Sequence, residues 1–475
     1  MSAAAPSEGR DRAVTAGLLL AAVLLAAGVA ADMFALVVAA AAGLAAAILV
    51  AGSPYRTMLA ALGLQICLSL AMLDTAAFYA GPVLVRLDTV ALAWVLLLWA
   101  AALADGARIP ARPGLTGWLA AAFTALAAVA TFQGLLTGND PELVFRFALT
   151  FAGYLFLFPF LWILCSTRDP LPRLVRMLVL FAGVAGLSYV IAGITGEGMG
   201  LYYRATGMRI ATRQPNAMAV VLVLLGGLLW RSPRSAPPLL LSVPAAVLMV
   251  AGILLSQTRG LWLGMACAVG FMFLVGLFKR ERETAGPGRQ VMSLLVFGIL
   301  VGAGIFLVGA LDLLSTGQLA QRTASESGSY LFDVAILSRF ISWGAVLDKL
   351  QGAALLFGHG FGETITYFKP EMGMVWTMAG VDGALFQTAL VAGVSGVAVL
   401  ALLYVAGVVD GARLFLKSAH SGRAALALSC AGGMVVVAVA SLFASPATNY
   451  RYTVLWALLF AIVRYLRHLE SEGAR

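Results

Sequence analysis

The chain has 475 residues, of which 61% are hydrophobic and only 11% charged, against roughly 25% charged in an ordinary soluble domain. With a mean hydropathy of +0.96, apolar side chains are too numerous for one aqueous core, so a soluble domain is excluded and lipid must solvate much of the surface. Long continuous apolar runs in place of ten-residue alternation argue against a barrel. The net charge of +9 therefore reads as basic loops facing an anionic leaflet and not as a nucleic-acid surface.

A spanning helix needs about 20 mostly apolar residues. Apolar runs closed by charge, proline or glycine predict helices near 14–31, 33–52, 57–73, 89–104, 115–133, 147–165, 177–194, 216–230, 238–255, 261–278, 291–311, 384–408, 424–443 and 452–466. The fold class expected is all-α, a polytopic integral membrane protein of about 14 spans, 12 at the least. Asp74 and Gly81-Pro82 break up the stretch after the third run. The first run lacks a Lys/Arg-rich flank and the second follows within two residues, so no cleavable signal is expected. Cys67, Cys165, Cys267 and Cys430 all fall inside apolar runs without C-x-x-C spacing. They read as small buried residues, not as metal or redox groups.

Charge orients the array. With the N-terminus inside, the even-numbered connections and both termini carry 20 of the 31 Lys and Arg residues, among them Arg56, Arg108, Arg112, Arg231, Lys279, Arg413 and Lys417. This is the bias of the positive-inside rule, and both termini are expected in the cytoplasm. Of the 22 Asp and Glu residues, 13 fall on the other side, with His359. Basic residues on that outer side work against insertion and call for a local reason; anion binding is the simplest.

Three outer stretches stand out. The connection 196–217 combines glycines, Tyr202, Tyr203, Arg204, Arg209 and Arg213, then Pro215-Asn216 at a helix start, where exposed backbone N–H groups favour an anion. Arginine forks suit two-point contact with phosphate oxygens. The plainer alternative is a surface loop whose arginines meet lipid headgroups. Ser256-Gln257-Thr258-Arg259-Gly260-Leu261-Trp262 holds Arg259 between two helices with almost no loop; by itself, an interfacial anchor beside Trp262 explains it. The longest non-spanning stretch, 313–382, is too long for an idle connector. Within it, apolar residues at 340, 343, 346, 347 and 350 recur at helical spacing and predict an amphipathic helix on the outer surface. The glycines of Leu356-Phe357-Gly358-His359-Gly360-Phe361-Gly362-Glu363 permit tight turns that bring His359 and Glu363 together. Histidine titrates near neutrality, and Asp382, at the top of the helix 384–408, is the last candidate acid or base. An incidental loop histidine and a polar helix flank are the alternatives for these two.

The order of these motifs resembles the O-antigen ligase and polymerase family of membrane glycosyltransferases. The resemblance rests on the arginine-rich loop ending in Gln214-Pro215-Asn216-Ala217, the SQTRGLWLG segment at 256–264, Ser338-Arg339-x-x-x-Trp343, the turn 357–362 and GVSG at 393–396. It covers about 200 residues, placing a catalytic region at 196–475 with its periplasmic loop at 313–382 after N-terminal helices in 1–195. It implies transfer of a glycan from an undecaprenyl-diphosphate carrier on the periplasmic face of a bacterial inner membrane, with no cofactor and no metal. It further implies that Arg204, Arg209, Arg213, Arg259 and Arg339 bind the carrier diphosphate. A base chosen from His359, Glu363 and Asp382 would take the acceptor proton. Besides membrane lipid and the lipid-linked oligosaccharide, a chain-length regulator and a flippase are the partners implied. Ligases usually carry a His-Asn pair where this chain reads Gly380-Val381-Asp382-Gly383, and an acidic residue there looks more like a polymerase. That favours polymerisation of O-antigen, capsule or exopolysaccharide repeats over ligation to lipid A core. A lipid-linked oligosaccharide transporter is the competing class, disfavoured because the charges sit at the outer rim and not at the midplane.

Overall fold

A computed structural model of the chain describes residues 53–67, 78–80, 83–109, 111–195, 201–204, 207–210, 215–256, 258–279, 334–370, 373–444 and 450–473. The helices expected at 14–31, 33–52 and 291–311 lie outside the described residues. Among those described, seven helices are long and apolar enough to cross a membrane: Gly114–Leu136, Pro141–Ser166, Pro170–Ala192, Gly260–Leu277, Ala384–Lys417, Ser421–Phe443 and Tyr452–Glu472. Three shorter apolar helices, Asp88–Ala104, Pro215–Arg231 and Leu239–Leu255, accompany them. Large apolar side chains such as Trp118, Phe132, Leu136, Leu240 and Leu277 stand exposed on these helices, as lipid-facing surfaces do. The protein is a helical, membrane-embedded one.

The elements are α1 (Pro54–Cys67), β1 (Phe78–Ala80), β2 (Val83–Val85), α2 (Leu87–Ala104), α3 (Gly114–Leu136), α4 (Pro141–Ala152), a 3₁₀ turn (Gly153–Phe156), α5 (Leu157–Ser166) and α6 (Pro170–Thr195). After them come β3 (Leu201–Arg204), β4 (Gly207–Ile210), α7 (Pro215–Arg231), α8 (Leu239–Leu255), α9 (Arg259–Leu277), α10 (Val334–Lys349) and α11 (Ala353–Phe357). The chain closes with β5 (Ile365–Lys369), β6 (Met374–Met378), α12 (Ala384–Lys417), α13 (Ser421–Phe443) and α14 (Tyr450–Gly473). Helix α4 starts six residues before the apolar run expected at 147–165. Asp140 caps it by accepting from the Glu142 N–H, and Pro141 fills the first helical position, a combination that tolerates the charged first turn. The three β pairs are antiparallel two-stranded hairpins.

Small residues set the packing. A Cβ on Gly264 of α9 would fall 2.8 Å from the Val436 carbonyl of α13, and one on Gly411 of α12 would fall 2.9 Å from the Ala427 carbonyl. Helices that lack a large side chain at the crossing approach backbone to backbone, which is how helices associate where water supplies no drive. On α7, Val220 lies against Gly433 and Gly227 against Ser429, so α7 and α13 run antiparallel. Deep in the bundle, the hydroxyls of Tyr154 and Tyr404 bond to each other at 2.8 Å, satisfying two polar groups that lipid could not.

One end of the bundle is basic. There Arg231 stacks over Trp230 and Phe415, and Lys279 donates to the Ser418 carbonyl at 3.3 Å. Arg464 donates to Asp410 and to the Arg112 carbonyl, and Arg467 pairs with Asp410 at 2.9 Å. These are residues or connections that the charge bias assigns to the cytoplasm. At the opposite end the Ala384 N–H donates to the Ala444 carbonyl at 2.9 Å, and Gly260 packs on Phe443.

Candidate functional site

The site lies at that opposite end, where three helix termini meet. Helix α9 begins at Arg259, and its next residue packs on Phe443 at the close of α13. The first residue of α12 bonds to the residue after α13. Helix α7 begins at Pro215 on the same end, because its antiparallel packing on α13 carries Arg231 to the basic end. The hairpin β3–β4, which pairs Tyr202 with Arg209 and Arg204 with Gly207, connects the close of α6 to this start. The chain thus brings the backbones of Arg204, Arg209 and Arg259 to the end that holds Asp382. Arg213 lies outside the described residues.

Helix α10 lies over this end. Its Arg339 sits 3.7 Å from the Asp382 carboxylate, with both side chains partly open to the surroundings. One turn on, the Trp343 indole N–H donates to the Asp382 carbonyl at 2.6 Å, and the ring stacks flat on Phe386 at 4.6 Å between centroids. Beneath, the buried Gln387 side-chain oxygen accepts the Val381 N–H at 2.7 Å. Asp382 is therefore fixed through its own backbone on one side and through its neighbour on the other, while its carboxylate projects outward beside a guanidinium. Sequence reasoning named Asp382 and Arg339, counted Trp343 only as an apolar helix residue and part of a motif, and passed over Gln387. A lone amide in the first turn of an otherwise apolar helix was the available signal for the latter.

His359 and Glu363 occupy a different place. The turn 358–362 is wedged between α3 and α12: the His359 and Gly360 N–H groups donate to the carbonyls of Leu390 and Val391, and the Phe361 N–H to that of Ala130. Gln133 and Asn139 in turn donate to the carbonyls of Gly358 and Phe361. Gly358 has φ +71, and a Cβ there would fall 2.4 Å from the Val391 backbone, so glycine is required for the close approach. The His359 ring Nε2 lies 3.0 Å from the Lys349 carbonyl. Because a carbonyl only accepts, that nitrogen carries a hydrogen directed at it. Glu363 forms an ion pair with Lys349, whose ammonium also donates to the Thr364 carbonyl at 2.7 Å. Lys349 thus links His359 and Glu363 on the α3 side of α12, while Asp382 sits on the side where α13 ends and α9 begins.

The helix expected from apolar residues at 340–350 is present as α10, and its apolar residues divide between two faces. Val346 and Leu350 are buried and Trp343 half-buried, whereas Phe340 and Leu347 are exposed. Ser338 and Ser342 take the inward places instead. Among the described residues, no group of three or more His, Cys, Asp or Glu side chains is arranged to hold a metal ion. No family model matches the chain, and no curated protein matches it.

Proposed function

We propose that the protein is a membrane glycosyltransferase that moves a glycan from an undecaprenyl-diphosphate carrier at the periplasmic face of a bacterial inner membrane, polymerising repeat units of an O-antigen, capsule or exopolysaccharide. The observation that carries this reading is the Arg339–Asp382 pair at 3.7 Å, set at the end of the bundle where α9 begins with Arg259. A carboxylate beside guanidinium groups supplies the two things the reaction needs, a proton acceptor and a fixed positive field.

In this proposal Asp382 takes the proton from the acceptor hydroxyl. The acceptor oxygen forms its bond to the anomeric carbon as the bond from that carbon to the diphosphate oxygen breaks. The departing undecaprenyl diphosphate gains negative charge, which Arg339 and Arg259 stabilise without reorganising, with Arg204, Arg209 and Arg213 completing the anion site. Asp382 is preferred to His359 and Glu363 as base because it shares the arginine end, while Glu363 is already neutralised by Lys349. Trp343 and Gln387 act as positioning residues through the 381–382 backbone.

Purified protein in proteoliposomes, given lipid-linked repeats alone, is expected to produce a ladder of longer lipid-linked glycans. Product that forms only when lipid A core is added would make the enzyme a ligase. Movement of intact donor across the bilayer without transfer would make it a transporter and end the proposal.

A further inference from the structure

Helix α10 carries large apolar side chains on its outer face as well as on the face packed against the bundle. Along the face turned away from the bundle run Leu337, Phe340, Gly344 and Leu347, spaced by three and four residues, and the three large side chains are 50%, 60% and 58% exposed. The face turned inward carries the buried Val346 and Leu350 beside Ser338 at 7%, Ser342 at 3% and the half-buried Arg339 and Lys349, and the outer face ends in the exposed Asp348. A helix whose outer face met water would carry polar residues along that face. The next helix, α11, repeats the theme: Leu355, Leu356 and Phe357 are all exposed.

The depth of α11 is fixed by its contact with α12. Gly393 of α12 has φ +64, and a Cβ there would fall 2.3 Å from the Leu356 backbone. It lies about 25 Å along the helix from Asp410, at 1.5 Å per residue. A hydrocarbon layer is about 30 Å thick. With Asp410, Arg464 and Arg467 marking the basic boundary, Gly393 and the Leu356 backbone against it fall inside the layer at its far edge. The adjoining Val394, and Leu402 and Val405 further along α12, are exposed apolar residues, so the apolar surface of α11 continues that of a spanning helix. Irregular backbone at such depth must be satisfied by protein, and the turn 358–362 meets that requirement through its bonds to α3 and α12.

We infer that α11 is embedded in the outer part of the leaflet at the Asp382 end and that α10 lies along the interface above it, with Leu337, Phe340, Leu347, Leu355, Leu356 and Phe357 turned toward lipid. The occupant of this face is lipid, because the face is continuous with the lipid-facing belt, with α11 at the depth of hydrocarbon and α10, held at Asp382, at the interface next to it. The inference stands on the packing alone and does not depend on glycosyl transfer.

The test uses the full chain in nanodiscs, with Cys267→Ser removing the one exposed native thiol and single cysteines at Phe340, Leu347 or Leu356 carrying an environment-sensitive fluorophore. Leu402→Cys serves as the lipid control and Asp105→Cys, in an exposed connection, as the aqueous control. Lipids brominated near the headgroup end of the acyl chain are expected to quench all three sites at least twofold more than aqueous iodide does, as at Leu402. Quenching by iodide as strong as at Asp105 would put the face in water and overturn the inference. Protection from both quenchers would assign the face to a second copy or another protein and overturn it equally. Circular dichroism and monodisperse elution of each labelled variant separate these results from misfolding.

Discussion

The Trp343 indole N–H donates to the Asp382 carbonyl at 2.6 Å while Arg339, one helical turn earlier, reaches the Asp382 carboxylate at 3.7 Å. One helix thus holds both the backbone and the side chain of the same acidic residue, with a loop and a hairpin intervening in sequence. This arrangement gives Asp382 a defined direction without burying its charge.

Asp382→Asn is expected to slow glycan transfer roughly 100-fold or more, the range for removal of a general base. Its stability should change little, because a partly exposed ion pair contributes about 0–1 kcal/mol. Initial rates in proteoliposomes beside thermal unfolding in detergent check both parts. His359→Gln, assayed in parallel, should keep most of the transfer activity; the opposite ranking of the two variants would move the base to the α3 side.

Trp343→Phe keeps the stack on Phe386 and removes the indole donor. The loss of one hydrogen bond, about 1 kcal/mol, predicts transfer on the order of fivefold slower. The effect should appear in kcat and not in KM, since the contact orients Asp382 and does not touch the donor lipid. A kinetic series over donor concentration separates the two constants.

How much of this was legible beforehand depended on the range of each signal. Continuous apolar runs announce helices locally, so α7, α8, α9 and α13 fall within a few residues of expectation. Helix α4 and the far end of α14 were cut short, because Glu142, Arg146, Arg464 and Arg467 look like the end of a span. The charges of Arg464 and Arg467 are met by Asp410, distant in sequence. The hairpin β5–β6 was missed since Ile365–Lys369 and Met374–Met378 are five-residue strands inside a stretch judged by its length alone. At the site, single residues were visible as chemistry, but the Arg339–Asp382 contact joins two segments whose meeting no local pattern records. Which face of α10 turns inward was open for a related reason: apolar periodicity names a face but does not say whether protein or lipid lies against it.

Gly393→Ala places a methyl group 2.3 Å from the Leu356 backbone and forces a side chain onto φ +64. A cost well above 1 kcal/mol is expected, beyond the roughly 0.4–1 kcal/mol that compatible glycine replacements gain. Gly344→Ala, on α10 with open space around it, should leave stability unchanged or raised. Thermal unfolding of the two variants in the same detergent compares them directly.

At the basic end, Asp410→Asn would leave Arg464 almost buried without its counter-charge, and removing one partner of such a pair costs about 3–5 kcal/mol. Reduced yield and a lowered unfolding midpoint are expected. The double variant Asp410→Leu with Arg464→Met should recover part of the loss, because apolar replacement of both partners removes the stranded charge. Midpoints of the single and double variants form the comparison.

The most direct test of the proposed site is its sidedness in intact cells. In a Cys267→Ser background, a membrane-impermeant thiol reagent should label Arg259→Cys and Asp382→Cys without permeabilisation. His420→Cys, at the basic end, should label only once the membrane is opened. Labelling of Arg259→Cys and Asp382→Cys from opposite sides, or of both only after permeabilisation, would contradict a diphosphate-binding centre on the outer face.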